Sequence, residues 1–332
     1  MRTLLRAIVV FAISCVLSKS FALAKSSSQR DALLERSAAS GVGIAEVTVL
    51  RTKRSSTGAA NATLQSLGAA GALPASAYWA NAQRQTGHGV AFDSGRWHLL
   101  LSDDGRAGKL NHDEGVSDCA ELGEKRSDVE MASIGEAFVL EKLQSVVQLA
   151  VGEQIVFNGA KHQYRRSASL DGRVNRLEYC GSTVEFGRRV AGLAIVGPGS
   201  KVRIDLDFRG SVTGFVFDWP QYVETGVKQA VLNLGDINAR APQSEISASG
   251  NWSVVARMEC GLFDPGYKRR IAGGPIQSAC VYHMRHRKVD STGQNTESAS
   301  IHVVPAGVTL IKDPSWRYLQ ALCTHGAVCL DQ

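Results

Sequence analysis

The chain has 332 residues, 44% of them hydrophobic, and a formal charge of +6. Three of its 37 Lys and Arg (Arg2, Arg6, Lys19) fall in the first 24 residues, which hold no acid, so the remainder carries 34 against 31 Asp and Glu. That near-balance removes the electrostatic argument for a nucleic-acid partner, and after the first 24 residues no apolar run is long enough to span a membrane.

Met1 to Ala24 has the order of a secretory signal peptide: Arg2 and Arg6, then the apolar Ala7 to Leu17, then Ala22-Leu23-Ala24 as a small-x-small cleavage site. The mature chain is expected to begin at Lys25. Residues 25–77 are polar and rich in small residues, and read as poorly ordered or linker-like, with Asp31 to Arg36 as a short helix and Val42 to Leu50 as one strand. Tyr78 to Leu110 returns to strand character, with Asp93-Ser94-Gly95 and Asp103-Asp104-Gly105 as turns.

Ser133-Ile134-Gly135-Glu136 has capping-box form and predicts a helix that ends near Gly152. Glu153 to Phe157 reads as a strand, with Asn158-Gly159 as a hairpin signal. Four strands follow: Val184 to Arg189, Leu193 to Val196, Lys201 to Phe208 and Val212 to Phe217. In the third of these, Val202, Ile204, Leu206 and Phe208 share one face, and Lys201, Arg203, Asp205 and Asp207 the other. The short connections predict an antiparallel meander. Gln221 to Asn233 is expected to be a short helix. Beyond Arg240-Ala241-Pro242, the runs Asn251 to Cys260, Ile276 to His286 and Ala299 to Val304 read as strands, and Pro314 to Leu322 as a last helical turn or two.

The run EFGRRVAGLAIVGPGSKVRIDLDFRGSVTGF resembles the propeptide-type domains of secreted bacterial proteins, the PepSY and fungalysin/thermolysin-propeptide group, over residues 130–220. The matching positions are Phe186, Arg188, Gly192, Gly197, and Asp207 with Gly210. The resemblance implies a helix on a curved antiparallel sheet and a non-catalytic inhibitor, chaperone or binding module.

Without Cys15, six cysteines remain in an exported chain, and none forms a Cys-x-x-Cys pair, so disulfides are expected ahead of zinc. Cys260 and Cys280 lie in two runs that must turn back on each other. Cys323 and Cys329 are close in sequence, and Cys119 and Cys180 remain. Pairing of Cys260 with Cys323 or Cys329 is the alternative.

The signatures of the common enzyme classes are absent: no Gly-x-Ser-x-Gly, no His-Glu-x-x-His and no P-loop. A Ser–His–Asp group assembled from distant residues would leave no motif. Asp205 and Asp207 share a strand face beside Lys201 and Arg203, the pattern of a solvated surface. His283 and His286, three apart on a strand, would face opposite ways. Lys268, Arg269, Arg270, Arg285, Arg287 and Lys288 are the candidate contacts for an acidic polymer.

The expectation is therefore an exported α+β protein. It has a helix packed on a curved antiparallel sheet and a disulfide-stapled β-rich C-terminal unit. The units are a signal peptide (1–24), a linker-like stretch (25–77), an α+β domain (78–240) with its propeptide-like core (130–220), and a small β unit (241–332). No catalytic, metal or cofactor residue is assigned. The expected partner is a protein or an acidic envelope polymer. A secreted hydrolase with a dispersed site is the rival.

Overall fold

The alternation at Lys201–Asp207 becomes a strand whose Val202, Ile204 and Leu206 are sealed from solvent while the residues between them are half-exposed. A side-chain period of two on a sheet with one covered face gives this pattern. The computed structural model describes residues 46–308, apart from 54–57, 76–78, 80–82, 87–88, 114–117, 122–124, 169–173, 248–249, 271–272 and 291.

Strand β1 (Glu46–Thr52) is followed by helix α1 (Ala60–Ala69). Next come β2 (Gln83–Thr86), β3 (Gly89–Ser94), β4 (Trp97–Leu101) and β5 (Ala107–His112). The short β6 (Ala120–Glu121) leads to helix α2 (Asp128–Lys142). The centre is β7 (Glu153–Ala168), β8 (Val174–Val190), β9 (Leu193–Val196), β10 (Lys201–Asp207), β11 (Val212–Asp218) and β12 (Tyr222–Ala230). Helix α3 (Leu234–Arg240) precedes β13 (Glu245–Ile246), β14 (Trp252–Phe263), β15 (Pro275–Val289) and β16 (Asn295–Pro305).

Among the described residues the molecule is mainly β, with 55% strand and 14% helix, and this overturns the α+β expectation. The two longer helices cover one stretch of a continuous sheet, whose main order is β12-β1-β15-β14-β9-β8-β10-β11-β5-β4-β3-β2. Nor is the centre a simple meander, because β8 lies between β9 and β10. Ala191 and Gly192, both at positive φ, turn β8 into β9. That two-residue loop suits the right-handed twist of a hairpin. β9 then pairs in parallel with β14, and through it the sheet passes into its C-terminal half.

The first core lies under α1 and α2 and holds Phe92, Leu99, Tyr179, Val184, Phe186, Ile204, Phe215, Phe217 and Trp219. α2 starts at Ser127, not Ser133: the Ser127 hydroxyl accepts from Glu130 N and the Glu130 carboxylate accepts from Ser127 N. Both Ser-x-x-Glu runs meet the box pattern, and packing selects the earlier one. A start there places Met131, Gly135 and Val139 on the buried face. A Cβ on Gly135 would approach Val184 to 2.5 Å, so the helix sits directly on the sheet.

The second core holds Val47, Leu50, Leu193, Val231, Ile237, Leu262, Ile276, Tyr282 and the cystine Cys260–Cys280. Here the sheet covers itself. β1 pairs with both β12 and β15, and beyond β16 Ala306 accepts from Leu232 N and donates to Ser278 O. The buried Gln229 carbonyl accepts from Ser278 N and Oγ, and its amide donates to Gln277. Two further expectations fail. Gln221 to Asn233, expected as a helix, supplies β12. Within the stretch expected as linker-like, the strand expected over Val42 to Leu50 is found as β1 (Glu46–Thr52), but Ala60–Ala69 forms α1, where no element is expected. The signal peptide, Asp31 to Arg36, Cys323, Cys329 and Pro314 to Leu322 lie outside the described residues.

Candidate functional site

Where the two cores meet, a charged cluster is closed off from water. Arg270 donates from Nη2 to both oxygens of Asp218 at 2.8 Å, and reaches Asp264 from Nε at 2.9 Å and Nη2 at 2.8 Å. Asp264, fully buried, also accepts from Tyr222 Oη, Ser200 Oγ and Gly266 N. The Gly197-Pro198-Gly199-Ser200 turn wraps it: a Cβ on Gly199 would lie 2.2 Å from its carboxyl carbon. Burial pushes the Asp218 carboxyl up to about 7, helped by the neighbouring Asp264 charge and opposed by Arg270. Burial also works against the Asp264 anion, but Arg270 and the hydroxyl donors carry its carboxyl below the ordinary value. Two acids share one guanidinium, and the acid with fewer donors takes the proton. Beside them Arg188, paired with Glu153, lies over the rings of Trp219 and Tyr222 at 4.9 and 4.6 Å. A cluster this buried joins the two halves of the molecule and offers no entry to a substrate.

A second constellation has the elements of a hydrolase. His162 Nε2 is 2.9 Å from Asp128 Oδ1, its Nδ1 is 2.7 Å from Ser182 Oγ, and Ser182 Oγ is 2.7 Å from Tyr179 Oη. Burial, with the nearby Lys125 charge, pushes the His162 imidazole below its ordinary value, so the ring is neutral at pH 7. Nε2–H then donates to the carboxylate, and Nδ1 accepts from the serine. The nitrogens are interchanged relative to the usual triad, in which the serine meets Nε2. Ser182, on β8 opposite His162 of β7, is 0% exposed and its hydroxyl also meets Tyr179 Oη, whereas Asp128 at the other end of the chain is exposed. Sequence reasoning missed all four residues, which come from 128 to 182 and share no motif.

The third feature is open. A cleft of about 320 Å³ lies among α1, the β4–β5 turn, the segment after α2 and the link into β12. Thr63 and Ser66 come from α1, Asp104 and Arg106 from the turn, and Lys53 from the end of β1. Gln148 and Gln221 are bound to each other at 2.7 Å, and Gln148 O also accepts from Trp219 Nε1. The turn is held by Asp104 Oδ1, which accepts from Ser102 Oγ and Arg106 N. Gly105 sits at φ +66°, where a Cβ would strike Thr63 Oγ1 at 2.2 Å. Among the described residues, neither Lys53 nor Arg106 forms an ion pair, and Asp104 Oδ2 has no partner. The Ser145 hydroxyl lies buried in the wall, also without a partner among the described residues.

The residues singled out from the sequence are scattered. Asp205 accepts from Thr183 Oγ1, and Asp207 accepts from Arg209 N and Ser211 N within its own turn, so they form no acid pair. His286 lies between Ser253 and Ser300, while His283 is near Glu259. Among the described residues, no group of three or more His, Cys, Asp or Glu could hold a metal. The basic patch does not assemble. Arg270 is the buried cation of the junction and cannot contact a polymer. Lys268 and Arg269 are exposed beside it, whereas Arg285, Arg287 and Lys288 lie at the far end of β15. At about 3.3 Å per strand residue the two groups are more than about 25 Å apart. Arg287 is bound to Asn295, and Lys288 points to the face opposite Arg285 and Arg287. Cys119–Cys180 and Cys260–Cys280 are disulfides, the latter between directly paired residues of β14 and β15. No helix among the described residues is long and apolar enough to cross a membrane. Neither the models of known protein families nor the curated proteins contain a match to this chain.

Proposed function

We propose that the protein is an exported, non-catalytic binding module of the cell envelope or extracellular space, and that the cleft between α1 and the β4–β5 turn is its binding site. The observation that carries this reading is a contrast in access. Ser182, the hydroxyl that the Asp128–His162 pair would activate, is sealed, while the open cleft presents hydroxyls, amides, one acid and two cations with no ion-pair partner among the described residues. A nucleophile has to lie where substrate can reach it. The two disulfides agree with an oxidising compartment, and the signal-peptide order of Met1 to Ala24 supports export. The resemblance of residues 130–220 to propeptide-type domains points the same way, since such domains act by binding.

The hydrolase reading has one observation in its favour, the Asp128–His162–Ser182 chain. It needs a path to Ser182 that the packing closes. Two assays on the mature protein decide between the readings. One is retention on an immobilised acidic polysaccharide against a neutral one, and the other is turnover of a panel of chromogenic esters. Retention without turnover is expected. Ester turnover that disappears in Ser182→Ala would overturn the binding reading.

A further inference from the structure

The geometry points to an acidic sugar unit, a hydroxylated ring bearing one anionic group, as the ligand of this cleft. The inference rests on the binding reading above and specifies its ligand. Arg106 and Lys53 come from different elements, and among the described residues neither has a carboxylate partner. Two cations lining one cleft, neither ion-paired among the described residues, favour an anion there, and a guanidinium can hold a carboxylate or phosphate through two parallel hydrogen bonds. Ser66 on α1, Thr63 beside it, whose hydroxyl donates to Gly105 O and can still accept, and the side-chain carbonyl of Gln221 add neutral donors and acceptors suited to ring hydroxyls.

Asp104 sets the limit. Its Oδ1 is committed to the turn, and Oδ2 remains to accept from a ligand hydroxyl. Its negative charge also opposes a second anionic group at that end, so the cleft selects a single charge next to neutral hydroxyls over a run of phosphates. The volume lies at the lower end of small-ligand sites, near about 300 Å³, which suits one or two sugar rings. With no aromatic side chain in the lining, an apolar ligand would find little to pack against.

The test is calorimetric titration of the mature protein with glucuronate, glucose 6-phosphate and glucose at low salt. Saturable binding of glucuronate or glucose 6-phosphate, with none of glucose, is expected, and the stronger of the two acids identifies carboxylate or phosphate as the preferred anion. Arg106→Gln should weaken binding about tenfold and Lys53→Gln severalfold, while Lys161→Gln on β7 leaves it unchanged. Should Arg106→Gln fail to fold, Lys53→Gln and Ala62→Trp, which fills the cleft from α1, carry the test. Equal binding of glucose, no saturation by either acid, or unchanged affinity in both charge variants would overturn the inference. Any of these with polysaccharide retention intact removes the cleft assignment alone, whereas ester turnover removes the binding reading itself.

Discussion

The core beneath α1 and α2 is filled by Phe92, Phe186, Phe215, Phe217 and Trp219, whereas the core between β1, β14, β15 and α3 is made of Val, Leu and Ile with Tyr282 and a cystine. The first gains its stability from large apolar side chains pressed between helix and sheet. The second has less apolar volume, and chain closure does part of the work: the Cys260–Cys280 bond, the β16 to β12 contact and the Gln229 network. The junction is charged, with Arg270 held between Asp218 and Asp264. The contrast shows how one sheet is stabilised by dispersion at one end and by cross-links at the other.

The largest effects should come from breaking the first core and the junction. Leu206→Asp puts a charge among apolar side chains, and Arg270→Met leaves two buried carboxylates without their cation. Each should cost about 3–5 kcal/mol in urea unfolding. If Arg270→Met were neutral, the cluster would not be joining the cores. Cys260→Ala with Cys280→Ala opens a loop with a sequence separation of 20. The chain-entropy account gives about 3 kcal/mol for it. Hydrogen exchange should then show lost protection in β14, β15 and β16 while β10 and β11 keep theirs, and equal loss in both sets would erase the distinction between the cores.

A smaller effect is expected with pH. The Asp218 carboxyl lies at about 7 in the folded protein against an ordinary 3.8, so between these values the folded state binds a proton that the unfolded state does not. This group's contribution is therefore fully present below pH 3.8 and is lost as pH rises through about 7. Melting temperature from pH 5 to 8 should fall more steeply in the native protein than in Asp218→Asn; parallel curves would show that the proton is not there. The smallest change should be Asp205→Asn. It keeps an acceptor for Thr183 on the wet face and should shift stability by under about 1 kcal/mol.

Legibility in the sequence followed the range of the interactions. Lys201 to Leu206 was readable because alternation is local, and Cys260 with Cys280 because two strand-like runs had to turn back. The sequence places α2 six residues late because two Ser-x-x-Glu boxes compete, and only its packing on Val184 and Phe186 selects between them. The run of β12 reads as a helix because its pairing with β1, which spans most of the described chain, leaves no local signal. Arg270 reads as surface charge beside Lys268 and Arg269, and its burial depends on Asp218, 52 residues away. The cleft draws on five separate segments, so no window of sequence contains it.

The central claim, that the accessible chemistry is binding and the serine of the proton-transfer chain is sealed, is tested most directly at Ser182. The folded protein would be incubated with a fluorophosphonate probe and its peptides mapped by mass spectrometry. The account predicts no adduct on Ser182, because the residue is 0% exposed and its hydroxyl is held between His162 and Tyr179. An adduct on Ser182 that His162→Ala abolishes would contradict it and restore the hydrolase.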